Sequence, residues 1–339
     1  MASGNSGCRF SRRNFLATTS ALGAASLLGA SLTAASEPPP ETKKIRVLHS
    51  PGICLIPQYL AEELLGLEGF SEVEYVGDPH ATGFEDLAAD KADVTINDAP
   101  GALPVLDAAR PFVLLAGIHG GCYELFGSRQ IQGIRDLKGK TVAVYALGKG
   151  SHIIVATMLA HVGINPNDVH WVPGTRAGDA MRLFVEGKAD AFIGFPPDPQ
   201  ELRGKNVGHV ILDTSQDRPW SQYFCCMLGA NRRFTERNPI ATKRALRAFL
   251  KATDICAQDP ARAARYIVGK GYEPRYEVAY EVLTQLSYSR WRETNPEDTL
   301  RFYALRLHEV GMIKTNPNKL IAQGVDWRFL NELKKELRA

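Results

Sequence analysis

The sequence predicts an α/β protein built from two similar lobes. Short apolar strand patterns alternate with helical patterns from residue 44 onward, the signature of sheets with helical crossovers. The alternation restarts near Cys122, where a second sheet begins. Finally, Lys91-Ala92-Asp93-Val94 is echoed by Lys188-Ala189-Asp190-Ala191. Each follows a helix pattern and precedes a proline-bearing loop: Asn97-Asp98-Ala99-Pro100 in one case, Gly194-Phe195-Pro196-Pro197 in the other. Equivalent loops of two such lobes face one another across a cleft, where open α/β sheets bind their ligands.

The first 35 residues stand apart from that pattern. Ser11-Arg12-Arg13-Asn14-Phe15-Leu16 precedes a weakly apolar run that ends in Leu32-Thr33-Ala34-Ala35-Ser36. A basic start, an apolar middle and a small-residue cleavage site make a signal peptide. The doubled arginine with Phe15-Leu16 behind it resembles a Tat export signal. The run is broken by Thr, Ser and Gly, which disfavours a membrane anchor, since a spanning helix needs about 20 apolar residues. Cys8 precedes the apolar run, so a lipoprotein anchor does not fit either. The mature chain is expected to be periplasmic, with residues 36–43 as a stiff proline-rich linker.

The elements follow in order. Strand patterns fall at 44–49, 73–76, 92–96 and 112–117, separated by helical patterns at 57–65, 84–90 and 103–109. The second set has strands at 122–126, 140–144, 169–172, 189–193 and 209–212, with helices at 153–161 and 177–186. A strand at 225–228 leads back. The remainder reads as helices at 241–257, 260–270, 276–288, 296–310 and 327–337, with Asn238-Pro239 and Asn295-Pro296 as helix starts. The alternation implies parallel strands.

Composition narrows the partners. The chain has 339 residues and a formal charge of +3, which resides in Arg9, Arg12 and Arg13 ahead of the first acid, Glu37. No Lys/Arg block points to nucleic acid or an anionic membrane surface. The mature chain keeps five cysteines: Cys54, Cys122, Cys225, Cys226 and Cys256. An odd number leaves at least one free thiol or a pairing between chains. Their spacings match no zinc pattern, and adjacent Cys225-Cys226 on a strand would point to opposite faces. They read as buried small hydrophobes, and neither a metal nor a cofactor is expected.

Ligand-binding chemistry is expected in the loops at strand ends. The run Gly148-Lys149-Gly150-Ser151-His152 opens an apolar helix, where glycines admit close approach and free N–H groups favour an anion. It has neither Walker nor dinucleotide-fingerprint spacing; its plain alternative is a helix start capped by Ser151. Arg176 supplies a fork for a planar oxyanion, and Phe195, Trp220 and Tyr223 are candidate walls. His119, beside Gly120-Gly121, reads as a donor or a hinge residue. There is no Gly-x-Ser-x-Gly, no His-Glu-x-x-His and no Cys/His pair at a known spacing, so no catalytic residue is assigned. Asp93 and Asp190 read as structural.

The run Leu137-Lys138-Gly139-Lys140-Thr141-Val142-Ala143-Val144, then Gly150-Ser151 and an apolar helix, resembles the nitrate/taurine/sulfonate class of ABC-transporter substrate-binding proteins. This group is also described as SsuA/THI5-like or NMT1-like. Gly187-Lys188-Ala189-Asp190-Ala191 and Ala92-Asp93-Val94 with its Asn97-Asp98 loop share the likeness, which covers residues 45–310. It implies a type II periplasmic-binding-protein fold: two α/β lobes, two hinge crossings near 116–122 and 212–223, and a ligand in the cleft. Lobe I would comprise 44–118 plus 220–339, and lobe II 119–219. By position, the family's ligand loops fall on Ser50 to Cys54, Asn97, Asp98, Gly121, Cys122, Tyr123, Gly150, Ser151, His152, Arg176 and Phe195; Trp220 joins them as a wall residue. Cys54 and Cys122 stand where small or polar residues are more usual. The resemblance implies a monomeric, non-catalytic protein that hands a small anionic or polar organic solute to an ABC permease. The alternative is an enzyme on the same scaffold, THI5-like or chorismate-dehydratase-like. THI5 enzymes use a cysteine-rich segment for metal-dependent chemistry, and Cys225-Cys226 is shorter than that motif.

Overall fold

The structure is a computed structural model describing residues 1, 37–50, 52–77, 83–176 and 178–337. The twin-arginine segment and its cleavage site lie outside the described residues. All described elements belong to one compact unit, Pro39–Ala339. In chain order they begin with β1 (Lys44–Leu48), α1 (Ile56–Leu67), β2 (Glu72–Val76), α2 (Phe84–Ala88), β3 (Val94–Asp98), α3 (Ala99–Asp107) and β4 (Phe112–Gly120). Next come β5 (Glu124–Gly127), β6 (Thr141–Val144), α4 (Gly150–His161), β7 (His170–Pro173), α5 (Asp179–Val185), β8 (Ala191–Gly194), α6 (Asp198–Lys205), β9 (His209–Asp213) and β10 (Phe224–Asn231). Helices α7 (Arg232–Arg237), α8 (Pro239–Gln258), α9 (Pro260–Gly269), α10 (Tyr276–Gln285), α11 (Pro296–Glu309), α12 (Pro317–Gly324) and α13 (Arg328–Glu336) complete the chain.

Two five-stranded sheets form, ordered β2-β1-β3-β10-β4 and β7-β6-β8-β5-β9. They have one plan. β1 and β6 each lie between two parallel neighbours, and one antiparallel strand is inserted in each sheet, β10 in the first and β5 in the second. The expected all-parallel sheets are thus mixed. The physical reason is connectivity: the chain crosses from β4 to β5 and returns from β9 to β10, and each crossing strand enters a sheet from the opposite direction.

The sequence echo has a structural counterpart. Asp93 precedes β3, and its Oδ2 accepts from the backbone N–H of Arg46 on β1 at 2.7 Å. Asp190 precedes β8, and its Oδ2 accepts from the backbone N–H of Thr141 on β6 at 2.9 Å. The two aspartates tie equivalent strands in the two sheets, so their role is structural, as expected.

The proline-rich segment is anchored: Glu41 accepts from the backbone N–H groups of Ile240 and Ala241 at 2.9 and 2.8 Å. A carboxylate there meets the free donors and positive end of α8. The side chain of Asn238, expected to cap α8, instead donates to Phe234 O at 3.2 Å. Asn295 does cap α11, accepting from Glu297 N–H at 3.1 Å. The C-terminal helices bury Tyr288, Trp291, Tyr303 and Phe249 in the large core that includes the first sheet. Among the described residues, no helix is long and apolar enough to cross a membrane.

Candidate functional site

A cavity of about 630 Å³ lies at the ends of strands from both sheets. That size is ordinary for a small-molecule site. Its lining draws on Ser50, Cys54, Asn97 and Asp98 of the first sheet's loops, and on Tyr145, Ser151, Thr175, Arg176, Phe195 and Asp198 of the second's. Cys122 and Tyr123, from the β4–β5 crossing, and Cys226 of β10 also line it.

Most expected ligand residues therefore meet here: Ser50, Cys54, Asn97, Asp98, Cys122, Tyr123, Gly150, Ser151, Arg176 and Phe195. Gly121, His152 and Trp220 are not in the lining. Gly121 lies where the crossing segments touch: a Cβ there would sit 2.0 Å from Thr214 O, so only glycine fits. His152 faces the start of its own helix, with Nδ1 accepting from Gly148 N–H at 3.1 Å and its ring edge-on to Trp171. Burial lowers the pKa of His152, favouring the neutral acceptor that this bond requires. Trp220 is buried against His161 and Phe302, as packing.

The helix start at Gly150 carries two surprises. A Cβ at Gly150 would lie 2.2 Å from Asp98 Oδ2, so α4 reaches the first sheet's loop only because this residue lacks a side chain. Asp98 in turn caps α3, accepting from Gly101 N–H at 2.7 Å. Burial pushes the Asp98 carboxyl up to about 7, against the lowering effect of that bond. Lys149, which also lines the cavity, pairs with Glu85 at 2.7 Å, both about half exposed. This pair joins α2 beside the first sheet to the loop before α4.

Tyr145 is a site residue that sequence reasoning missed. Its hydroxyl donates to Asp198 Oδ2 at 2.9 Å and accepts from Phe195 N–H at 3.3 Å, fixing the loop after β8. Burial raises the Asp198 carboxyl, opposed by the Tyr145 hydrogen bond. Tyr145 immediately follows β6, and Asp198 opens α6 beyond the short loop after β8; their position past strand ends was the available signal. Phe195 packs between Tyr145 and Tyr123, at ring-centroid distances of 4.8 and 5.8 Å. Arg176 is exposed at the rim, and Ser151, buried, accepts from Tyr145 N–H at 3.1 Å.

Cysteines converge on the cavity floor. Cys54, Cys122, Cys226 and His119 are all buried, and one ligand atom of each lies within 4.8 Å of the other three. Cys225 Sγ is 3.0 Å from Cys122 Sγ. The expected divergence of Cys225 and Cys226 fails because the ladder slips: Phe224 pairs with Gly120 and Cys226 with His119, leaving Cys225 as an extra, bulged residue. Both adjacent thiols consequently reach Cys122. Hydrogen bonds from Cys122 and Cys226 hold the Cys54 thiol below its ordinary pKa, whereas burial pushes Cys122 and Cys226 up.

Two sheets of this order around a strand-end cavity define a periplasmic-binding-protein fold. The family model described as NMT1/THI5 like matches residues 71–263, and the chain belongs to that family. The periplasmic nitrate-binding protein NrtA from Synechocystis PCC 6803 is similar in structure, with a TM-score of 0.73, 15% identity and coverage of 88% of this chain and 90% of that one. The alkanesulfonate-binding protein SsuA from Xanthomonas axonopodis pv. citri, bound to MOPS, gives a TM-score of 0.66 at 15% identity, covering 85% and 99%. These likenesses establish the fold. Among curated sequences, the yeast (Saccharomyces cerevisiae) 4-amino-5-hydroxymethyl-2-methylpyrimidine phosphate synthase THI12 is 28% identical over 167 residues, covering 46% of this chain and 47% of that protein. THI5 of the same organism is 28% identical over 155 residues, covering 42% and 44%. The chain thus spans about half the length of the curated relatives it matches.

Proposed function

We propose that this chain is the extracytoplasmic solute-binding component of an ABC importer. It traps a small polar or anionic organic solute between lobe I, residues 44–118 with 220–339, and lobe II, residues 119–219. The observation that carries this reading is the strand-end cavity, of about 630 Å³, whose polar groups come from both sheets. Closure of two lobes on a solute gives a membrane partner a shape to read. Ser151 and Arg176, with Asn97 and Ser50 opposite, are the proposed donors. The lining also holds Glu85, Asp98 and Asp198, and Asp98 lies against the start of α4, so an anionic group is best placed toward Arg176. The protein acts as a monomer with an inner-membrane permease, and the twin-arginine signal delivers it to the periplasm.

Isothermal titration with taurine, an alkanesulfonate and nitrate tests the reading. Ser151→Ala and Arg176→Ala should each weaken binding about tenfold or more, the size of a lost charge-assisted hydrogen bond. Unchanged affinity in both variants would sink the site assignment.

A second reading, an enzyme related to the pyrimidine phosphate synthases, is favoured by one feature, the thiols in the cavity floor. Product formation by the purified protein, lost in Cys225→Ser or Cys226→Ser, would replace the transport reading.

A further inference from the structure

We propose that Cys54, His119, Cys122 and Cys226 form a four-ligand site for a soft, tetrahedral metal ion of the zinc class, set in the floor of the cavity. The ligands come from four separate segments. Cys54 lies on the 3-10 turn Ile53–Leu55, and His119 lies near the end of β4. Cys122 belongs to the β4–β5 crossing, and Cys226 to β10 directly opposite His119 in the ladder. Their ligand atoms lie within 4.8 Å of one another. A tetrahedron with Zn–S bonds of about 2.3 Å has S···S edges of about 3.8 Å, so modest side-chain rotation closes the set. Three thiols and one imidazole is an ordinary zinc donor set, and carboxylate-preferring ions such as Mg²⁺ or Ca²⁺ are excluded by it.

A second observation, at the imidazole, points to a ligand. His119 is fully buried, and its Nε2 has no hydrogen-bond partner among the described residues. An orphaned buried nitrogen is costly. Nδ1 lies 2.6 Å from Gly120 O, which only accepts, so Nδ1 carries the proton and Nε2 keeps its lone pair. A backbone carbonyl fixing the far nitrogen is the usual outer support of a metal-bound histidine. Buried thiols packed as hydrophobes would not need this arrangement.

The site has a consequence for the fold. His119 lies near the end of β4 before the outgoing crossing, Cys122 lies within it, and Cys226 follows the returning one. One ion would tie both crossings to the first βα turn through Cys54. Binding displaces thiol protons to solvent as the thiolates coordinate, so affinity rises with pH. Cys225, 3.0 Å from Cys122, is outside the ligand set and is its competitor: a Cys122–Cys225 disulfide would remove one ligand.

The proposal does not depend on which solute the cavity takes. The test uses the full mature chain, purified under reducing conditions, titrated with Co²⁺ and then Zn²⁺. We expect one Co²⁺ per chain, with intense tetrahedral d–d bands and thiolate charge-transfer absorption, both erased by Zn²⁺. Zn²⁺ should also raise the melting temperature. Cys226→Ser and His119→Gln should each reduce Zn²⁺ affinity at least tenfold, with circular dichroism confirming the fold. Cys256→Ser, a buried thiol of α8, should bind as the parent does. Absence of the charge-transfer band in the folded, reduced parent overturns the site. So does unchanged affinity in folded Cys54→Ser and Cys226→Ser together.

Discussion

Glu68 shows how one residue holds distant chain segments together. It caps the end of α1, is buried, and receives Arg247 at 2.8 Å and Lys251 at 3.1 Å from α8. Burial pushes its carboxyl up, but the two cations outweigh it and leave the pKa below the ordinary glutamate value. A depressed folded-state pKa contributes stability that is present above the unfolded value of about 4.3, and that is lost as pH falls through the folded one. Urea unfolding should therefore show Glu68→Gln destabilised by about 1–3 kcal/mol at pH 7, since it removes the buried carboxylate that Arg247 and Lys251 share. The difference from the parent should shrink below about pH 4. A constant difference across that range would show that charge is not the cause. At Gly150 the expectation is steric. Gly150→Ala would drive a methyl against Asp98, costing about 1–3 kcal/mol as overpacking. It should also weaken solute binding by moving α4, which calorimetry would read.

At the scale of elements, short apolar runs bounded by turn residues were a good guide to strands, including β4, β5, β8 and β10, which are buried on both faces. All ten strands fall where the sequence places them, within a few residues. The helices α6, α7 and α12 were not anticipated. They have only 8, 6 and 8 residues, lengths at which a 3.6-residue period is weak, although the similarly short α2 and α5 were anticipated. The bulge at Cys225 was equally hidden, because alternation assumes an unbroken ladder. The Lys149–Glu85 pair links the α4 loop to α2, and its exposure limits its worth to under about 1 kcal/mol. Glu85→Gln should thus barely change unfolding in urea. If the pair helps hold the cleft shut, the same variant should release solute faster in stopped-flow measurements. Unchanged dissociation would assign the pair to the surface alone.

For the whole molecule, the two crossings decide behaviour. They meet at Gly121 and Thr214, where the chain passes backbone to backbone. Tyr123 N–H donates to Thr214 Oγ1 at 2.9 Å, and Thr214 Oγ1 donates to Tyr123 O at 2.8 Å. Gly121→Ala should disrupt this junction and lower stability by about 1–3 kcal/mol in urea. Under the proposed function, a bound solute that draws the loops of the two sheets together should reduce the radius of gyration in solution scattering. At one hundred times its dissociation constant it should stabilise the fold by about 2.7 kcal/mol.

The sequence by itself determined the α/β class, the repeated strand-helix plan that the two sheets share, the family likeness and most of the cavity-lining loops. Those properties are local: they depend on periodicity, on helix starts and on loops that follow strand ends. Tertiary structure alone decided that Lys149 meets Glu85, that Asp98 meets Gly150, and that His152 and Trp220 turn away from the cavity. It also decided that Cys54, His119, Cys122 and Cys226 converge. No spacing rule reaches across 172 positions, from Cys54 to Cys226, because that proximity is created by strand insertion and a bulge rather than by neighbouring residues.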